Sequence, residues 1–251
     1  MKILVVGESC VDIFVGCECT RLSPESPIPI ITPVSRNENP GMASNTLRNL
    51  LALGADAHLY TNTNWREITK TRYVEQKSNH MFVRVDENDK SYGRSDLRSI
   101  DFSNYEAVVI SDYAKGFLTE AEIKYIAASH HLTFLDSKKP LGSWAKNISF
   151  IKINKVEFER AKSNLSKDVV NKTIVTLGSD GALYKGMVYP VPNITTVDVA
   201  GAGDVFLSGL VVKYIETKDI EVAIKFANTC ATYAVQQRGV TVVNKEELDD
   251  K

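Results

Sequence analysis

The 251-residue chain has no apolar run near the roughly 18 residues that a membrane-spanning helix needs. Its N-terminus, MKILVVGES, is too short for a secretory signal core and carries no small-residue cleavage site. A cytoplasmic protein is the expectation. Excess charge of one sign is also missing. Lys plus Arg number 30 against 31 for Asp plus Glu, a net charge of -1. That balance leaves no basic footprint for nucleic acid and no polybasic membrane anchor, although a locally basic pocket stays open. The four cysteines, at positions 10, 17, 19 and 230, lack paired C-x-x-C zinc spacing and read as reduced, buried or half-buried thiols. There is no internal repeat, low-complexity tract or long charge block. No G-x-x-x-x-G-K-[ST] loop occurs, and the first strand runs into GESCVD rather than G-x-G-x-x-G. A P-loop enzyme and a dinucleotide dehydrogenase are therefore unsupported.

What is present is ordinary globular composition, 43% hydrophobic and 24% charged. A chain of this length can bury about 70% of its surface, enough for one core with a small accessory layer. KILVVG (2–7) is a continuous apolar run, as in a parallel strand buried on both faces. An amphipathic helix is expected at 44–54, then strands near 57–61, 107–112, 132–136, 149–154 and 173–178. Further helices are expected near 119–129, 203–217 and 219–237. Alternating strands and helices predict an open, mostly parallel α/β sheet. Two stretches break the rhythm. Residues 11–36 read as extended segments around SPESPIP, and 70–90 as strand, turn and strand. They predict a small β-sheet lid, at about 11–36 and 70–90, inserted in a single domain that spans 1–251. Its apolar runs IPIITPV and MFVRV suggest a lid-mediated homodimer.

The segment DVAGAGDVFLSGLVV (198–212) carries the chemistry. The GAG turn lets the backbone approach a ligand closely. A helix that begins near Gly203 points free N–H groups and its positive end into that turn, an anion site. Asp204, in the first helical turn, stands where a general base would sit beside a transferring phosphoryl group, although a carboxylate there could merely complement the helix dipole. A Gly-rich turn alone is a weak signal.

DVAGAGD resembles the C-terminal signature of the ribokinase-like, or PfkB, carbohydrate kinases, usually D-T-x-G-A-G-D. NPGMASNTLRNLLALGA (39–55) is similar to their N-terminal signature. Asp12 is similar to the Asp that holds sugar hydroxyls, Asn154 and Glu157 to the N-x-x-E motif, and TLGSDGA (176–182) to the nucleotide-binding turn. The match spans nearly the whole chain. The resemblance implies a ribokinase-like three-layer α/β/α sandwich with a β-lid, ATP as phosphoryl donor and Mg²⁺. It implies Asp204 as base with the N–H groups of Gly201, Ala202 and Gly203 around the phosphoryl. Asn154, Glu157, Thr176, Gly178, Gly181 and Asn228 would serve the nucleotide, with Asn154 and Glu157 reaching Mg²⁺ through water. Asp12, Gly41, Asn45, Lys115, Asp136 and Lys138 would serve the sugar.

A narrower resemblance runs through RLSPESPIPI, SDYAKGFLT, DSKK and FANTCA. It points to the kinases that phosphorylate O1 of D-glycero-D-manno-heptose 7-phosphate, an ADP-heptose precursor step. Such an acceptor needs cations for its own phosphate; Lys115, Lys138, Lys139, Arg72 and Arg84 are candidates. Other acceptors stay open: another sugar, a sugar phosphate or a nucleoside. So does a non-catalytic sugar- or nucleotide-binding homologue. Val199 replaces the usual Thr, Met42 a usual Gly, and DSKK a usual D-P-K-G. Only TNTNWREI lies between Tyr60 and Thr69, where the family has a further helix and strand. No nucleotidyltransferase domain is expected.

Overall fold

Strand β1 (Lys2–Gly7) is buried on both faces, as its unbroken apolar run requires. Ile3 and Val5 enter one core, and Leu4 and Val6 the other. This period-two split fixes a layer of helices on each side of one sheet. The computed structural model describes residues 1–91 and 96–249.

After β1 come β2 (Ser9–Leu22), β3 (Pro29–Met42), helix α1 (Ala43–Ala52) and β4 (Asp56–Tyr60). Then follow β5 (Thr69–Glu75), β6 (Met81–Glu87), β7 (Ala107–Asp112), α2 (Glu120–Ser129), β8 (Thr133–Ser137) and β9 (Phe150–Asn154). Next are α3 (Lys155–Ala161), α4 (Lys167–Val170), β10 (Thr173–Thr176), β11 (Ala182–Tyr184) and β12 (Met187–Tyr189). The chain then forms α5 (Ala202–Thr217) and α6 (Ile220–Ala234).

The main sheet has the order β12-β11-β10-β9-β8-β7-β1-β4. Its strands from β10 to β4 pair in parallel, and β11 and β12 pair antiparallel at one edge. Helices α1, α5 and α6 pack on one face with Leu50, Phe206, Leu210 and Ala227. Helix α2 packs on the other with Ile123 and Ile126. This is the expected three-layer arrangement. The helix expected to run to 237 stops at Ala234, and the strand expected to reach 178 stops at Thr176.

The stretches that broke the rhythm form a second sheet, β3-β2-β5-β6. Ile13, Val15 and Cys17 make a small core beneath it. Val34 on β3 and Met81, Val83 and Val85 on β6 are 41–48% exposed. Strand β4 is the edge strand of the main sheet, and residues 61–68 lead from it straight into β5. Side chains pin this short link. Asn62 accepts from the Ser9 N–H at 2.8 Å and donates to Asn64, which donates to the Lys90 carbonyl.

Candidate active site

The polar residues gather at the carboxyl ends of the parallel strands, where open α/β sheets receive ligands. Glu8 follows β1, Tyr113 follows β7, Asp136 and Lys138 lie at the end of β8, and Asn154 ends β9. Helix α5 begins above them. Its cap, Gly201, has φ 78°, a left-handed conformation suited to glycine, and no side chain caps the helix. The expected ring of N–H groups is smaller than the sequence implies. Ala202 N–H bonds to the Val199 carbonyl and Asp204 N–H to that of Gly201. Among the described residues, the N–H groups of Gly201 and Gly203 have no backbone acceptor and are the ones left for an anion.

Asp204 is 6% exposed. Asn45 Nδ2, from α1, donates to its Oδ2 at 2.8 Å, and the Tyr113 hydroxyl donates to its Oδ1 at 2.9 Å. Burial pushes the carboxyl up to about 6, against the Asn45 and Tyr113 donors and the Lys152 ammonium, with Asp136 adding to the rise. Tyr113 is held well above its ordinary range, by burial first and then by the Asp204 charge, so its hydroxyl stays a donor.

Two clefts meet at this turn. One, of about 220 Å³, is lined by Thr176, Gly178, Gly181 and Asn228 and reaches Val199, Ala202 and Gly203. It thus unites four residues expected to serve the nucleotide. Asn228 is anchored by its donation to the Tyr189 carbonyl at 2.8 Å. The other, of about 420 Å³, holds Asp12, Asn45, Lys115 and Lys138 beside Gly201 and Asp204. Gly41 lies against Asp12, where a Cβ would collide with its carboxylate. Asp136 is set back, bonded to Lys152 at 2.7 Å and 3.8 Å from the Lys138 ammonium.

Asn154 and Glu157 line neither cleft. They form a reciprocal capping box at the start of α3, with both bonds at 2.9 Å, and Glu157 Oε1 also holds Lys138 at 2.6 Å. Among the described residues no group of three or more His, Cys, Asp or Glu side chains could hold a metal. Lys139, also expected as a candidate cation for the acceptor's phosphate, lines neither cleft; its ammonium bonds to the buried Asp112 at 2.5 Å.

Sequence reasoning missed several groups. Lys152 is 4% exposed, and its ammonium lies 2.8 Å from where a Cβ of Gly203 would be. A lysine inside the apolar strand FIKIN was the available signal. Tyr113 stands within DYAKG, beside the lysine that drew attention. Lys70 also lines the cleft that holds Asp12 and Asn45, paired with Asp86 and Asp89. Met42, which replaces a usual glycine, keeps a glycine-like backbone at φ 59°, ψ -130°. It holds that strained geometry with its side chain buried against Cys10 and Ile68.

The sequence profile of the pfkB family carbohydrate kinases matches residues 55–247. The chain belongs to that family. It is a phosphotransferase that acts on a sugar hydroxyl, and the kinase family implies ATP use. The chain is 30% identical to the bifunctional protein HldE of Helicobacter pylori J99 over 302 aligned positions. That alignment covers 98% of this chain and 65% of the relative. It is longer than the chain itself, so the relative carries segments absent here. HldE of Nitratiruptor is 28% identical, covering 99% of this chain and 64% of the relative. The chain thus spans just under two thirds of these relatives. Ribokinase from Thermotoga maritima aligns with a TM-score of 0.73 at 15% identity, covering 99% of this chain and 98% of that one. The nucleoside kinase of Methanocaldococcus jannaschii aligns with a TM-score of 0.71 at 19% identity, covering 100% and 98%. These structures share the ribokinase-like fold.

A carboxylate poised near 6 beside two unpaired N–H groups can accept a hydroxyl proton near neutral pH. Asp204→Asn keeps the size and most hydrogen bonds but cannot take that proton. Its kcat should fall by at least about 10²-fold, while nucleotide affinity stays within about twofold. In the wild type, kcat/KM should fall with a unit slope as pH drops through about 6, because only the ionised base works. Wild-type turnover in Asp204→Asn would remove Asp204 from the mechanism.

Proposed function

We propose that the chain transfers the γ-phosphoryl group of ATP to O1 of D-glycero-D-manno-heptose 7-phosphate. The observation that carries this reading is the charge of the acceptor cleft. Among the described residues, Lys70, Arg72, Arg84, Lys115 and Lys138 line it with Asp12 and Asp204, each cation paired with a carboxylate of Asp12, Asp86, Asp89 or Glu157 that an incoming phosphate would share or replace. A neutral sugar needs no such cations, whereas an acceptor that already bears a phosphate does. The motifs around DYAKG support the same acceptor.

In this reading the sugar lies under the second sheet, which acts as a lid on one kinase unit, and its reacting hydroxyl points at Asp204. The hydroxyl oxygen forms the new O–P bond as the bond to the ADP oxygen breaks, and its proton passes to the Asp204 carboxylate. The N–H groups of Gly201 and Gly203 and the Lys152 ammonium face the charge on the transferring oxygens. Asn45 and Tyr113 hold the base in place.

The residues suit a Mg²⁺ carried mainly by phosphate oxygens and water. Glu157 and Asn154 are already engaged with each other and with Lys138, which leaves them contacts through water rather than direct ligation. Asp136 Oδ1 is buried without a hydrogen-bond partner beside them. When bound, Mg²⁺ would offset phosphate charge. ATP as donor fits a cytoplasmic site of action. No helix among the described residues is long and apolar enough to cross a membrane.

Exposed Val34, Met81, Val83 and Val85 support pairing of two chains through the lid sheet. Light scattering at micromolar concentration should return twice the 27.8 kDa chain mass, and a monomer mass would overturn the dimer.

An acceptor panel tests the substrate. ADP release should be fastest with the heptose 7-phosphate and slower with the unphosphorylated heptose, ribose and fructose 6-phosphate. Lys115→Met is the cleanest probe of the phosphate, because its partner Asp89 keeps Lys70 at 2.8 Å. It should raise KM for the phosphorylated sugar about 10- to 150-fold, the loss of one charge-assisted contact, and barely change KM for the unphosphorylated one. Equal effects on both, or a wild type that prefers the unphosphorylated sugar, would defeat the assignment.

A further inference from the structure

We propose that Glu8, which lines neither cleft, is a positioning residue that sets Tyr113, Asn45 and Lys115 around the acceptor hydroxyl. Glu8 follows β1 and is fully buried. A buried carboxylate must be compensated by hydrogen bonds or charge. Among the described residues, its side-chain hydrogen bonds come from main-chain N–H groups of one loop. Tyr113 N–H donates to Oε2 at 2.7 Å, and Lys115 N–H and Phe117 N–H donate to Oε1 at 2.8 and 3.3 Å.

Alternate N–H groups point the same way because Ala114 and Gly116 are left-handed, at φ 57° and 104°. Successive N–H groups curved in this manner form an anion-binding concavity. In this protein the anion is internal. A non-glycine residue such as Ala114 keeps a left-handed conformation only where its surroundings enforce it, and the Glu8 carboxylate does so from beneath. Asp112 and Lys139 are the charged neighbours of that carboxylate.

The gripped loop carries two side chains to the site. The Tyr113 hydroxyl reaches Asp204, and Lys115 lines the acceptor cleft. Glu8 also acts through its main chain. Its carbonyl accepts from Ala43 N–H at 2.9 Å, at the start of α1, and Asn45 on that first turn donates to the other Asp204 oxygen. Two of the three side-chain donors to the candidate base, Asn45 and Tyr113, are therefore tied to Glu8; the third, the Thr46 hydroxyl, reaches Oδ1 at 3.5 Å. The inference rests on Asp204 as the base and on the kinase reaction, not on the identity of the acceptor.

Glu8→Gln preserves shape but puts an NH₂ where an acceptor oxygen was, so at least one loop N–H loses its partner. Kinetics are measured with whichever panel sugar the wild type turns over. KM for the acceptor should rise about 10-fold or more, the loss of positioned contacts, while KM for ATP stays within about twofold. The acid limb of kcat/KM should move to higher pH, because Asp204 loses a donor to its charged form. Tyr113→Phe should also move that limb to higher pH, and adding Glu8→Gln to it should move the limb no further. Glu8→Asp, which withdraws the carboxylate by one methylene, should act in the same direction.

A folded Glu8→Gln with unchanged acceptor KM and unchanged limb would overturn the proposal. So would an equal loss of ATP and acceptor affinity, or failure of both Glu8 variants to fold even with ATP, since either assigns Glu8 to stability alone. A wild type inert toward heptose 7-phosphate would defeat that acceptor and leave this comparison intact. Full turnover in Asp204→Asn would defeat the base, and the acceptor KM of Glu8→Gln would still report on Lys115.

Discussion

The buried carboxylate of Asp204 at the uncapped start of α5 is the constraint on which the rest depends. A charge placed there loses its hydration, and only a few fixed dipoles replace it. Those dipoles come from distant parts of the chain. Asn45 arrives on α1 and Tyr113 on the loop after β7. For all three to meet, β1 and β7 must be neighbours and α1 must cross the same face as α5. The main sheet provides both, with β1 paired to β7 and α1 in the same helical layer as α5. The balance between lost hydration and gained hydrogen bonds leaves the carboxyl near 6, where it is charged at neutral pH yet still basic.

Around that carboxylate, cations are stored in pairs rather than left bare. Lys152 lies on Asp136, Lys138 on Glu157, Arg72 on Asp12, and Lys115 on Asp89. Half-buried ammonium groups without partners would be costly, and pairing keeps them in place before a ligand arrives. In the proposed reading an incoming phosphate shares or replaces these carboxylates. Asn154 and Glu157 contribute to the same economy, since their mutual capping box also orients the carboxylate that holds Lys138.

Much of the architecture was legible because burial on both faces forces unbroken apolar runs. KILVVG read as a strand buried on both faces and AVVISD as a strand, and both lie inside the main sheet. The GAG turn and Asp204 stood out through the resemblance of DVAGAGD to the family's C-terminal signature, since a Gly-rich turn before a helix is by itself a weak signal. Less visible were groups whose role depends on tertiary approach. Lys152 lies on an inner strand and reaches under Gly203 only because β9 ends beneath α5. Tyr113 was hidden by Lys115, its more conspicuous neighbour, and Glu8 by its place at the end of an apolar strand. The number of free N–H groups in the turn was not legible either, since it depends on which of them the turn itself consumes. At Met42 the backbone retains the glycine-like conformation, and the side chain packs on Cys10 and Ile68 while it also lines the cleft that holds Asp12 and Asn45.

The central claim is that one buried carboxylate is poised by its surroundings to titrate just below neutral pH. Selective ¹³C labelling of aspartate, with the carboxyl signal of Asp204 assigned by its absence in Asp204→Asn, reads that titration directly. The account predicts a midpoint at about 6 for this one signal in the free protein. A midpoint near the ordinary aspartate value of about 3.9 would contradict it, because the burial and the donors described here could not then be setting the charge of the base.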